Sequence, residues 1–382
     1  MQHRGKNRSL LVPIGAALAI AVAGVGGGLL VVSLGGDDDR SGDGFGSTTP
    51  PAVAQADCAE EGKVPGSGST AQQNAVERWI KEYERSCPPV RIAYNPLGSG
   101  AGVAEFMLGE TAFGGTDGAL KPEEVALSRK VCPGGHAIDL PMLGGPVAIG
   151  HNLPDVDDLV LDAPTLARIF DTRITQWNDP AIQKLNPDVS LPDLPIKAVH
   201  RSDGSGTTQN LNAYLAGAAP AQWPYPAEKA WQARGGESAD GSSRVAAQVK
   251  ATTGAIGYFE LSFAAKLEIN TVRVDTGAAK PVAPTATTAS RGIAAADIIG
   301  KGNDLTLKLD YDTSAEGAYP IVLVTYEIVC DKGNNKETLP ALKSFLTYTA
   351  SEEGQEILPD IHYAPLPEEV AVQVRAVIKT LS

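Results

Sequence analysis

Three short segments combine glycine with hydroxyl residues ahead of a helical pattern: Gly66-Ser-Gly-Ser-Thr-Ala71, Gly98-Ser-Gly-Ala-Gly102 and Asp203-Gly-Ser-Gly-Thr-Thr208. The first turn of a helix leaves N–H groups without partners and carries partial positive charge. Glycine lets that backbone approach a ligand closely, and serine or threonine adds a hydroxyl donor, so each turn is suited to an anion oxygen. Taken singly, each also reads as an ordinary N-cap. Arg201, two residues before Asp203, shifts the balance. Its guanidinium offers a forked pair of donors that fits an oxyanion, and Asp203 beside it reads either as a surface ion-pair partner or as the group that orients the fork.

Asp117, in "FGGTDGAL", runs against this pattern. Its plain reading is a turn-forming residue before Gly118. In an anion site a carboxylate makes sense only if the ligand carries a proton that the carboxylate accepts. Hydrogen phosphate has that proton at neutral pH and sulfate does not, and a mismatch of buried polar groups discriminates by about 10⁴–10⁵.

The elements that must hold these residues can be read from periodicity. Ala71, Ala75, Val76, Trp79, Ile80 and Tyr83 recur at helical spacing, which predicts a helix over Thr70–Cys87. Strands are predicted at Val90–Asn95, in two segments with a bend across 137–152, at 196–202 and in "AYPIVLVTYEIV". A strand running into a helix is predicted at "GAIGYFELSFA". Further helices are predicted at Gly102–Leu108, Pro122–Val131, Thr165–Phe170, Thr208–Leu215, around Ala289–Ile299, at Leu339–Thr349 and at Pro367–Leu381. Alternating strands and helices predict an α/β fold with mostly parallel sheets covered by helices.

The chain has 382 residues, enough for two lobes, and a formal net charge of −13. That charge argues against nucleic-acid binding and against long-range steering of an anion, so an anion site must work through local donors. At the N-terminus His3, Arg4, Lys6 and Arg8 precede the uncharged stretch Leu10–Leu34, and Asp37-Asp38-Asp39 come after it. This order reads as an apolar signal or anchor helix (1–34) that exports the remainder of the chain, with Ala52-Val53-Ala54 as a cleavage alternative. Residues 35–57, rich in Gly, Asp, Ser, Thr and Pro, read as a flexible tether. Cys58, Cys87, Cys132 and Cys330 all lie in the exported part, where two disulfides are expected. The sequence leaves their pairing open. Cys58–Cys87 and Cys132–Cys330 are favoured, since Cys58 precedes the first strand candidate and Cys87 ends the helix after it.

"HRSDGSGTT", "NPLGSGAGVAEF", "FGGTDGAL" and "KVPGSGSTAQ" together resemble the periplasmic-type phosphate-binding protein of the high-affinity ABC phosphate importer, in an actinobacterial-like branch. "LVLDAPTLARIFDTRITQWNDPAIQKLNP" and "GAIGYFELSFA" extend the similarity, which covers Cys58–Ser382. The resemblance implies a two-lobed periplasmic-binding-protein (type II) fold with a ligand cleft. Lobe I would take 58–148 and 320–382, and lobe II 149–319. Phosphate would be held by the Thr70 hydroxyl, the Ala71 N–H, the Ser99 hydroxyl, the proton-accepting Asp117, Arg201 paired with Asp203, and the backbone and hydroxyl donors of Ser205, Gly206 and Thr207. No metal or cofactor is implied. The partners would be phosphate and a membrane ABC permease, with the protein monomeric at the outer face of the cytoplasmic membrane, tethered or released. Two departures stand out. Ala71 occupies a position where many relatives have an aromatic, and no lipobox cysteine comes after the apolar stretch, so a spanning anchor or a released protein is expected rather than a lipid anchor.

Three rivals remain on the sequence. A phosphoester hydrolase would use His200 as a base beside Ser205, but no serine sits in Gly-x-Ser-x-Gly and no phosphate-binding loop with its lysine occurs. A binder of another tetrahedral oxyanion is opposed by Asp117. An adhesin or structural surface protein on the same scaffold would not bind phosphate.

Overall fold

The computed structural model describes residues 58–294 and 296–382. The expected apolar helix at 1–34 and the tether at 35–57 lie outside the described residues. Among the described residues no helix is long and apolar enough to cross a membrane.

The first part of the chain runs β1 (Gly62–Gly68), α1 (Gln73–Ser86), β2 (Val90–Pro96), α2 (Ser99–Met107), β3 (Phe113–Thr116), α3 (Pro122–Ser128) and β4 (Ala137–His151). Then come β5 (Val160–Asp162), α4 (Ala163–Phe170), α5 (Pro180–Leu185), β6 (Lys197–Arg201), α6 (Gly206–Ala218), β7 (Glu237–Ala239), α7 (Gly241–Ala251), β8 (Ala255–Glu260) and α8 (Leu261–Leu267). Short strands β9 (Asn270–Thr271) and β10 (Arg273–Asp275) lead to α9 (Ala286–Ile293) and the hairpin of β11 (Asp297–Ile298) with β12 (Leu307–Lys308). The chain closes with β13 (Val322–Cys330), α10 (Leu339–Thr349), α11 (Glu352–Glu356) and α12 (Glu368–Thr380).

Eight strands line up as β2-β1-β3-β13-β4-β8-β6-β7, and β9 pairs with β4 beside that path. The α/β class holds, but the sheet is mixed. The β1–β2, β1–β3, β6–β7 and β6–β8 ladders are parallel, whereas β13 runs antiparallel to both β3 and β4, and β4 antiparallel to β8. The long strand β4 explains this. It is buried along its whole length, as a strand covered on both faces must be. Its first part pairs with β13 as far as Pro146, and from Val147 onward it pairs with β8. The expected two segments are one continuous strand, and the irregularity between them lies in β4 itself: Thr325 pairs with Leu143 and Tyr326 with Pro141, which leaves Met142 as the extra residue.

Each half of the sheet has its own core. Against the first, α1 buries Ala75, Val76, Trp79 and Tyr83, and the Trp79 indole N–H donates to the Gly354 carbonyl at 2.7 Å. Against the second, Phe170, Trp177, Leu211 and Tyr258 pack together. Three local expectations need correction. Gly66-Ser-Gly68 belongs to β1 rather than to a helix-opening turn, because Gly66–Gly68 pair with β2 and β3 on either side, and α1 starts only at Gln73. The helix expected around Ala289–Ile299 spans Ala286–Ile293, where Thr285 and Thr288 form a capping box, and Asp297–Ile298 is instead a strand. Helix α7 has no counterpart among the expected elements.

The disulfides are Cys58–Cys87 and Cys132–Cys330, with Cα–Cα distances of 5.5 and 5.4 Å. The second joins the segment after α3 to the end of β13, 198 residues away, whereas the first closes a separation of only 29. In the loop-entropy model the longer closure stabilises by about 5 kcal/mol and the shorter by about 3.5. Replacing Cys132 and Cys330 by serine should therefore lower the thermal midpoint more than replacing Cys58 and Cys87. The reverse order in a calorimetric scan would contradict the loop-closure explanation.

Glu260 sits where β8 meets β4, opposite Val147, and caps α8 by accepting the Ser262 N–H at 2.9 Å. Burial pushes its carboxyl up to about 8 from an ordinary 4.5, and burial likewise pushes Glu327 to about 8 and Asp139 to about 7. Between the unfolded and folded values the native state holds more protons than the unfolded chain, so stability falls as pH rises through that window. The thermal midpoint is expected to drop between about pH 5 and about pH 8. Glu260→Gln should flatten that slope, and an unaltered slope would exclude Glu260 as a contributor.

Candidate functional site

The expected residues come together at the seam between the two halves of the sheet. β1 ends at Gly68 and turns through Ser69–Gln72 into α1. Next to it, α2 starts at Ser99 after Gly98, and β3 ends just before Asp117. From the other half, β6 ends at Arg201, and the loop 202–205 opens α6 at Gly206.

Ser99 and Asp117 meet the first turn of α6. The Gly206 N–H donates to Ser99 Oγ at 3.1 Å, and the Asp117 N–H donates to the same oxygen at 3.2 Å. Asp117 Oδ2 lies 3.5 Å from Ser99 Oγ and accepts from Thr207 Oγ1 at 3.4 Å, while Oδ1 accepts from Thr325 Oγ1 at 3.0 Å. These approaches demand glycine. A Cβ on Gly206 would lie 2.6 Å from both Asp117 Cβ and Ser99 Oγ. The two loops are also stitched backbone to backbone, Gly100 N–H to the Gly204 carbonyl at 2.7 Å.

Arg201 is 2% exposed. Its Nε donates to Asp203 Oδ1 at 2.6 Å and its Nη2 to Oδ2, so Asp203 both pairs with and orients the fork, but the pair is largely buried and not the surface ion pair of the plain reading. Asp203 is further held by the Gly241 N–H at 3.0 Å. The remaining arm, Nη1, points to Ser242 Oγ at 3.3 Å. Ser242 in turn donates its N–H to Thr70 Oγ1 at 3.0 Å, and the two hydroxyl oxygens are 3.0 Å apart. Thr70, Ser242, Arg201 and Asp203 thus form one contiguous polar cluster beside the Ser99–Asp117–Thr207 cluster.

The backbone donors of Ala71 and Ser205 are already engaged. The Ala71 N–H donates to Ser69 Oγ at 3.0 Å within its own turn, and the Ala71 carbonyl accepts from Tyr363 at 2.6 Å. Ser205 is the N-cap of α6: its hydroxyl oxygen accepts the Thr208 N–H at 3.1 Å, which is its plain reading as a capping residue, and its own N–H donates to the Lys229 carbonyl at 2.9 Å. His200 does not face Ser205. Its ring stacks on Trp231 with centroids 4.9 Å apart, and Nδ1 lies 3.0 Å from the Arg201 carbonyl.

Residues that the sequence reading passes over are Ser242, Thr325 and Asn210. The first has a signal. Asp240-Gly-Ser-Ser243 opens α7 and repeats the glycine–hydroxyl design of the other turns. Thr325 has none, being one hydroxyl in an apolar strand.

The electrostatics derive from burial. Burial pushes the Asp117 carboxyl up, against hydrogen bonds from Ser69, Thr325 and Thr207 and the charge of Arg201. Burial also acts to raise Asp203, but the Arg201 guanidinium bound to it holds it below its ordinary value. The result is a buried acceptor carboxylate, Asp117, contacted by hydroxyls at the first turns of α2 and α6, beside an Arg201–Asp203 pair that meets the first turn of α7.

A family model for the PBP superfamily domain matches residues 47–353. The phosphate-binding protein PstS 3 of Mycobacterium tuberculosis is 42% identical over 371 residues, covering 96% of this chain and 98% of the relative. The phosphate-binding protein PstS of Xylella fastidiosa is 30% identical over 334 residues, covering 86% and 88%. A crystal structure of a phosphate binding protein from Stenotrophomonas maltophilia matches the fold with a TM-score of 0.67 at 19% identity, covering 82% of this chain and 93% of that one. With the family model spanning most of the chain and such relatives along nearly its full length, the chain belongs to the PBP superfamily and, within it, to the family of the PstS phosphate-binding proteins.

Proposed function

We propose that the protein captures inorganic phosphate, as the hydrogen-bearing dianion, between the two halves of its sheet and delivers it to a membrane ABC permease without chemical change. The observation that carries this reading is Asp117: a buried carboxylate in contact with Ser99, Thr207 and Thr325 in a site otherwise made of donors. Such a group takes the proton of hydrogen phosphate and opposes an oxyanion that has none. The names of the relatives, phosphate-binding proteins, agree with this.

In this reading 58–148 with 320–382 form one lobe and 149–319 the other, hinged through β4 and the start of β13. Thr70, Ser99 and Asp117 belong to the first lobe; Arg201, Gly206 and Thr207 belong to the second. Asp203 aligns Arg201, Ser205 holds the first turn of α6, and the Ala71 N–H joins the cage if its turn releases Ser69. Ser242 adds a hydroxyl between Arg201 and Thr70. Hydrogen bonds to a charged group each contribute about 1.5–3 kcal/mol, offset in part by closure. The two disulfides fit an oxidising, extracytoplasmic setting.

Arg201→Ala removes the full positive charge from the cage and should weaken phosphate binding by about 100-fold or more, measured by isothermal titration of residues 58–382. Unchanged affinity would refute the assigned cage. Asp117→Asn replaces an acceptor by an amide that also donates, so sulfate binding should become measurable alongside phosphate. If the variant still rejects sulfate, selectivity lies elsewhere.

A further inference from the structure

Asn210, on the second turn of α6, is 3% exposed and uses its whole amide. Its Nδ2 donates to the Asp117 carbonyl at 2.7 Å and to the Gly206 carbonyl at 2.8 Å. Its Oδ1 accepts from the Tyr311 hydroxyl. The orientation is unambiguous, since two carbonyls require the nitrogen end and the phenol supplies a proton to the oxygen end. Tyr311 comes after β12 on a strap tied to the central strands, where Leu305 N–H donates to the Asp139 carbonyl at 3.0 Å and Leu307 N–H to the Tyr326 hydroxyl at 3.1 Å. One amide therefore links the segment after β3, the first turn of α6 and a strap anchored on β4 and β13.

Packing alone does not fix Asp117 on this side. A cavity of about 270 Å³ borders Asp117, Asn210, Gln209 and Tyr311. Rotation of the peptide between Asp117 and Gly118 into that space is opposed by the short Asn210 bond to its carbonyl and by a longer one from the Gly118 N–H to Thr116 Oγ1 at 3.3 Å. The same side chain holds Gly206, whose N–H meets Ser99, and lies one turn from Thr207, whose hydroxyl meets the Asp117 carboxylate.

We infer that Asn210, with its amide aligned by Tyr311, is the positioning residue that locks the proton-accepting Asp117 of one half of the site to the first turn of α6 in the other, and so sets how long a bound oxyanion stays caged. Its consequence for ligand release rests on the phosphate-capture reading; the lock itself does not.

The test compares Asn210→Ala and Tyr311→Phe with the wild-type protein in two measurements. In hydrogen exchange without ligand, peptides covering 115–118 and 204–209 should exchange about tenfold faster in Asn210→Ala, while β4 and β8 stay as protected as before. Tyr311→Phe, which keeps the ring and removes only the hydroxyl, should shift the same peptides to a smaller extent. In stopped-flow mixing, phosphate release should quicken by about tenfold with association changed by less than about threefold. Unaltered exchange in both variants, or an increase spread evenly over the whole core, overturns the inference. A wild-type protein that binds no phosphate would defeat the functional reading, and the exchange result would still decide the role of Asn210.

Discussion

The site is organised around the problem of keeping the Asp117 carboxylate buried. Buried without donors, Asp117 would take up a proton and lose its ability to accept one from a ligand. The structure answers with hydroxyls from Thr325 and Thr207, its neighbour Ser99, and the charge of Arg201 close by. Those same groups are the ones that an oxyanion needs. In the proposed reading, solvation of the carboxylate and recognition of the ligand are one arrangement, and neither half of the sheet contains it alone.

Arg201 illustrates the same economy. A guanidinium this deeply buried is tolerable only with a partner, and Asp203 supplies a two-point contact. The pairing neutralises the charge at a distance while fixing the plane of the fork, which leaves Nη1 directed at Ser242 and Thr70. With a net charge of −13 the protein cannot draw an anion from afar, so the work falls to aligned short-range donors.

The scaffold delivers these groups through strand ends and helix starts. β1, β3 and β6 end at the seam, and α2, α6 and α7 begin there. Glycine is required where the turns touch: Gly98 takes a φ of +98°, and a Cβ on it would lie 2.3 Å from Asp203 Oδ2. β4 spans the seam with partners on both sides, so the halves share one continuous strand while presenting separate cores.

The sequence by itself determined the local pieces. Periodicity marked α1 and α10, the glycine–hydroxyl turns marked the starts of α2 and α6, and Arg201 next to Asp203 announced an oriented fork, because each of these depends on neighbours within a few residues. Even there one turn misled, since Gly66–Gly68 looks like a helix start until β2 and β3 claim it as a strand. What only the tertiary structure decided is the meeting of distant groups. Thr325 reaches Asp117 across 208 residues, Ser242 reaches Thr70 across 172, and the antiparallel order at the centre of the sheet comes from β13 returning from the end of the chain. A hydroxyl's type is written in the sequence, but its partner is set by strand order and register, which emerge only when the two cores pack.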